Sequence, residues 1–390
     1  MALPTRPSRW ALAAAALAIS AAACSDSSSG PTTITDPSAT IRDLAAVDSA
    51  FNSDAYQALT LFATNFAAPT APVPLQGVAR ALRITLPPAP GRAAALGRSQ
   101  TQHLRTLAGL ASASPQVAVL PDSLLGTTFE WNPDSGKYVA TTRAGAPQNG
   151  ITFILYRQDS LTSLPDTGQE VGSLDIADMN PASGAQLRFV VRGTGGSPTV
   201  LDYTLTFLAG NQATTLQAAG YVSNGRAAAL ERRFTFNASL GSTSPAKGPA
   251  ETADFTYDVN VPDVTVELHL AATADTLADT SITAIDYRFT RLAENIRLLG
   301  ADTITNGDNT EHATLGVTVN GNTYATLTIV NGTATITDHD GAVVPINGND
   351  QQYEDEVVLA LILGVLDASV RLAEVLAIPA LLLGFSISLL

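Results

Sequence analysis

Four histidines, one cysteine and two acid-rich turns are the residues of this 390-residue chain best equipped to hold a metal or act on a substrate. The histidines are His103, His269, His312 and His339. None stands at the short H-x-H or H-x-x-x-H spacing that puts two imidazoles on one ion, and the single cysteine cannot complete a zinc site. The acid-rich turns are Asn306-Gly307-Asp308-Asn309-Thr310-Glu311 and Asp338-His339-Asp340-Gly341. Calcium takes six to eight oxygens, and neither turn has the twelve-residue loop with its closing glutamate. Asn and Asp also recur between strands because their side chains bond their own backbone. There is no G-x-S-x-G elbow and no phosphate-cradling glycine loop between strand and helix. Trp131 and Tyr138 suit a cross-strand pair better than a sugar platform. The sequence therefore predicts no catalytic residue, no metal ligand, no cofactor and no enzyme activity.

What remains is Cys24. Arg6 and Arg9 precede an apolar run, Trp10–Ile19, and the small residues Ala21, Ala22 and Ala23. This is the pattern of a secretory signal peptide, and the run is too short for an ordinary spanning helix. Ala21-Ala22-Ala23-Cys24 resembles a bacterial lipobox, with Ala21 where leucine is usual. That resemblance implies a signal peptide over 1–23, a lipid on Cys24 as the mature N-terminus, and a membrane as partner. Ser25 in second place resembles an outer-membrane address, so the expected location is the bacterial cell envelope, lipid-anchored at the outer membrane. With no second cysteine, the mature chain must hold its fold without an internal disulfide.

The domain delivered this way is read from its periodicities. Residues 24–40 are rich in Ser, Thr, Gly and Pro and predict a flexible tether. Residues 41–112 predict a helical and Pro-rich region. Asp36-Pro37 offers an N-cap and first-turn proline, and Leu44, Val47, Phe51, Ala55, Leu59, Phe62 and Phe66 follow at helical spacing. Asn52-Ser53-Asp54 can divide that run into two helices. A weaker, basic helix is expected over 91–112.

Residues 113–390 predict an antiparallel β-domain ending in a helix. Apolar and polar residues alternate in Ala253–Val261, Val264–Leu270, Leu201–Phe207 and Ile285–Phe289, the mark of strands with one face on a core and one in water. Asn-Gly pairs at 149–150, 224–225, 306–307, 320–321, 331–332 and 347–348 suggest tight hairpins, most clearly Thr314–Val319 into Asn322–Val330. Ile151–Tyr156 is apolar on both faces and predicts a central, covered strand. Tyr353–Ile378 predicts a mostly buried helix, with Tyr353, Glu356, Ala360, Gly364, Asp367, Arg371 and Glu374 on one narrow solvent-facing stripe.

The expected fold is α+β, mainly antiparallel β: a large curved sheet or partial barrel covered by N-terminal helices and a C-terminal aliphatic helix. The net charge of −14 argues against nucleic acid as partner. The function expected is that of a non-enzymatic envelope lipoprotein, binding or carrying an apolar ligand between sheet and helix. The alternative is a structural or interaction protein of the cell surface. A filled core would favour the alternative, and a cleft with a His–Asp contact would favour a hydrolase.

Overall fold

The computed structural model describes residues 34–46, 53–67, 120, 122–179, 186–209, 213–243, 250–275, 279–305, 310–331 and 333–344, with 357, 358, 360, 361 and 364. The signal peptide, Cys24, the basic segment 91–112, the turn at 306–309 and the tail after Pro379 lie outside the described residues.

Strands dominate. In chain order they are β1 (Thr127–Asn132), β2 (Lys137–Thr141), β3 (Gly150–Gln158), β4 (Pro165–Asp178), β5 (Gln186–Gly193), β6 (Thr199–Ala209), β7 (Ala213–Ser223) and β8 (Arg233–Thr243). They continue as β9 (Ala250–Asn260), β10 (Asp263–Asp275), β11 (Thr280–Arg291), β12 (Glu294–Thr305), β13 (Thr310–Val319), β14 (Asn322–Val330), β15 (Thr333–Asp338) and β16 (Val343–Val344). All join one 16-stranded open sheet. From β3 to β16 each strand lies beside the next in sequence, as expected of a meander. The exception is β1, which sits between β2 and β3 and runs parallel to β3. The sheet is therefore mixed, although every other pairing is antiparallel.

Alternation decides which face is buried. In β9, Ala253, Phe255, Tyr257 and Val259 are buried while the residues between them are not. Leu174, Phe189, Leu205, Leu216, Phe234, Val266, Phe289, Leu298, Val317 and Ile336 carry the same face across the sheet with almost no accessible surface. Burying each such side chain contributes about 1.5–3 kcal/mol, so this face cannot be left in water. Part of its cover is visible. Helix α1 (Pro37–Ala46) begins where Asp36 Oδ1 accepts from the Ala39 amide at 2.8 Å. Helix α2 (Asp54–Ala67) begins where Ser53 Oγ accepts from the Tyr56 amide at 3.2 Å. The first is the predicted cap, and Asn52-Ser53-Asp54 divides the run into two helices as expected, with Ser53 as the second cap. Helix α2 packs on β3, β4 and β5, with the Phe62 ring 4.8 Å from that of Phe153 and 5.0 Å from that of Tyr138.

Several expectations need correction. Residues 34–40 belong to the folded unit rather than to a tether: Ile34, Ala39 and Thr40 are buried. Of the described Asn-Gly pairs, Asn320-Gly321 forms the tight hairpin turn, with φ of 51° and 86°. Gly150 instead opens β3, and Asn224 organises a longer loop, its Oδ1 accepting from the Arg226 and Arg232 amides. The C-terminal residues Val357, Val358 and Leu361 are helical and fully buried in the core, as expected. Gly364 is only partly exposed and is crowded: a Cβ there would lie 2.6 Å from Tyr287 Oη and 3.3 Å from a Leu44 methyl. Strand β3 is covered on both faces, as its sequence predicts, with Ile154 and Tyr156 packed beside Trp131, but it lies third from one edge of the sheet and not at its centre.

Two neighbouring glycines separate backbone crowding from mere loss of a side chain. A Cβ on Gly300 would meet the Thr314 carbonyl oxygen at 2.0 Å, whereas one on Gly316 has its nearest neighbour at 3.8 Å. Chemical denaturation should show Gly300→Ala less stable than the parent by roughly 1–3 kcal/mol, with Gly316→Ala near neutral. Equal effects would contradict the register of β12 and β13.

Candidate functional site on the polar face of the sheet

The face opposite the core is where exposed chemistry collects, and the register fixes its order. One row crosses β5 to β11 as Gln186, Thr206, Gln217, Ser239, Asp254, His269 and Asp286, each opposite the next. The adjoining row runs Arg188, Thr204, Ala219, Asn237, Thr256, Glu267, Arg288 and Arg297. Short side chains in the middle of both rows leave an open groove of about 500 Å³. Its walls include Gln186, Thr206, Gln217, Asn237, Ser239 and Asp254. Amides and hydroxyls line it, with one carboxylate and no aromatic ring. It is suited to hydrogen-bonding a polar partner and offers nothing to stack on a sugar ring.

Beside the groove the charges form a ladder. Asp286 accepts from Nε and Nη2 of Arg297, each at 2.8 Å, and lies 3.5 Å from Arg288. Arg288 also reaches Glu267 at 3.3 Å. The carboxylates keep the two directly opposed guanidinium groups, Arg288 and Arg297, from repelling without compensation. The hydrogen bonds from Arg297 hold the Asp286 carboxyl below the usual carboxylate range, against the opposite pull of partial burial, and raise the Arg297 guanidinium. On the far side of the groove Arg188 grips Asp202 through two bonds of 2.7 and 2.8 Å.

His269 sits on the polar face, as the alternation predicts, with Nδ1 2.5 Å from Asp254 Oδ1. This is the His–Asp contact that would support a hydrolase, but its surroundings do not. Both side chains are at least half exposed. The serine of the row, Ser239, stands opposite Asp254 and not opposite His269. Two strand spacings, about 10 Å, separate serine from imidazole, so the base cannot take the hydroxyl proton. His339 is 3.4 Å from its neighbour Asp340. In the same turn Asp338 Oδ1 accepts from the Asp340 and Ala342 amides at 2.9 and 2.8 Å, so this oxygen shapes the turn. His312 is exposed on β13. Trp131 and Tyr138 are direct register partners with rings 5.5 Å apart, the cross-strand pair predicted.

Two features escaped sequence reasoning. The charge ladder depends on register, and a one-residue slip of any strand would dissolve it. Asp302 and Glu311 are buried on β12 and β13, Asp302 opposite Thr283 and Ala313. Glu311 is thus a core-facing residue rather than a ligand of an exposed turn. Its alternation with Ala313, Leu315 and Val317 was the available signal. Among the described residues no group of three or more His, Cys, Asp or Glu could hold a metal ion, and no helix is long and apolar enough to cross a membrane. No protein-family model matches the chain, and no curated protein or solved structure is found to be similar to it.

The ladder predicts a pH signature. A carboxyl depressed by folding adds stability above its unfolded value, about 3.9, and that contribution is lost as pH falls through the folded value. Asp286→Asn should therefore cost roughly 0.5–1 kcal/mol at neutral pH, allowing for screening of a partly exposed pair. Urea titrations should show the gap between parent and variant closing in acid. A gap that stays constant through the acid range would contradict the pairing.

Proposed function

We propose that this chain is a non-enzymatic, lipid-anchored protein of the bacterial cell envelope, held at the outer membrane through Cys24, and that it acts by presenting the polar sheet face to a partner. In this reading the helices at both ends of the chain cover the apolar face of a curved sheet and leave the other face open. The observation that carries the interaction reading is the state of the apolar face. Residues such as Leu155, Leu205, Val222, Phe289, Leu298, Val317 and Leu361 have no accessible surface, so they line no space that would admit even a water-sized probe. A carrier of an apolar ligand would need room on that face, whereas the groove seen among the described residues lies on the polar one. The same polarity argues against a sheet embedded in lipid, since a membrane barrel turns an apolar band outward, and here Asp202, Asp254, His269, Asp286 and Arg297 share the outer face.

Anchoring is tested directly. Labelled fatty acid should be incorporated into the parent chain and not into Cys24→Ala, and the variant should leave the membrane fraction as a protein that needs no detergent. A variant that fractionates with membranes as the parent does would overturn the proposal.

A further inference from the structure

Neighbouring strands alternate in direction, so their connections fall on two opposite rims of the sheet. One rim holds the connections 159–164, 194–198, 224–232, 261–262, 292–293, 320–321 and 339–342. This rim exposes large apolar side chains at its tips: Leu161 at 92%, Leu292 at 80%, Val343 at 68% and Leu230 at 64%. Val261 and Leu164 on the same rim are also exposed.

The backbone around these tips is built. Asp159 Oδ1 accepts from the amides of Leu161 and Thr162 and from the Thr162 hydroxyl, at 2.8–3.0 Å, fixing the turn that presents Leu161. Those bonds hold the Asp159 carboxyl below its ordinary value. Asn224 Nδ2 donates to the Leu230 carbonyl at 3.1 Å and so holds the loop that carries Leu230. Leu292 has φ of 53° at a hairpin tip. Glycine or asparagine takes that conformation with least strain, and leucine there is an outlier whose side chain then points into water.

The folded unit also enters the sheet at this rim. The Thr35 amide donates to Oε1 of Glu294, the first residue of β12, at 2.8 Å, and Asp43 pairs with Arg291, the last residue of β11. From Cys24 to Ile34 the chain can extend at most about 35 Å. The 13-residue strand β10 spans roughly 40 Å. A lipid on Cys24 would thus be tied to the chain beside this rim, by a segment shorter than the sheet is tall.

We infer that the rim bearing Leu161, Leu230, Leu292 and Val343 rests on the membrane surface, its aliphatic tips entering the head-group region and orienting the sheet upright on its lipid anchor. This rests on the anchoring proposed above. The rim carries exposed Asp134, Asp263 and Asp340 beside exposed Lys137 and Arg226, a mixed set of charges that fits a zwitterionic lipid surface. The lipid supplies retention, and the tips supply orientation.

The test uses the full lipidated chain reconstituted into phosphatidylcholine vesicles whose acyl chains carry bromine, a contact quencher of indole. Leu292→Trp and Leu161→Trp report on the rim, and Leu208→Trp reports on the opposite rim, each read against the parent signal from the buried Trp131. The inference predicts that the indoles at 292 and 161 lose roughly half their emission, as expected for side chains seated about 5–10 Å into the interface, while that at 208 is unchanged. Vesicle-bound protein with unquenched indoles at both rim positions, or with equal quenching at 208, would overturn it. A chain that the vesicles do not retain would overturn the anchoring itself, and the inference with it. Thermal midpoints matching the parent establish that each variant is folded.

Discussion

The need to cover one apolar face governs the rest of this structure. Side chains along a strand alternate, so the strict pattern of β9, β10 and β11 commits every second residue to the same side. Sixteen strands in register extend that commitment over a surface too large to leave in water. The consequences are visible at both ends of the chain. Leu59 and Phe62 of α2 are buried against β3 to β5, while Val357, Val358 and Leu361 close on the same core from the C-terminal side. Gly364 lies against Tyr287 and Leu44, so that α1, β11 and the C-terminal helical residues meet at one point.

What faces outward follows from the same alternation. Once the aliphatic and aromatic residues are turned inward, the intervening Asp, Arg, Thr, Gln and Asn residues are left side by side across the hydrogen-bonded strands. The register turns a scatter of charges into ordered pairs, Arg188 with Asp202 and Arg297 with Asp286. The groove between these pairs exists because Ala219, Ser239 and their neighbours are short. Fold and surface chemistry are in this sense one constraint seen from two sides.

Much of this was legible in the sequence because it is local. The cap at Asp36, the helix break at Asn52-Ser53-Asp54, the hairpin at Asn320-Gly321 and the covering of the strand from Ile151 each depend on a few neighbouring residues, and each appears as read. The misreadings arise where a distant element decides. Asn149-Gly150 has the chemistry of a tight turn, but Gly150 is needed where a Cβ would strike the Ile176 carbonyl at 2.1 Å. Gly364 falls on the polar stripe of its helix by spacing, and the hydroxyl of Tyr287, far away in sequence, claims that position. The ladder around His269 and Asp286 was hidden for the same reason: no single strand contains it. The parallel placement of β1 beside β3 also has no local signal, since it depends on where the connection after β2 returns.

We propose that the apolar face, closely packed among the described residues, is filled by the chain itself, and that the protein works through its surfaces rather than as a container. Native mass spectrometry of the lipidated protein, released gently from the membrane, tests this most directly. The account predicts the mass of the mature chain plus the acyl groups on Cys24, with no stoichiometric apolar molecule retained. A bound lipid or other apolar ligand at one copy per chain, surviving extraction and seated in the core, would contradict it.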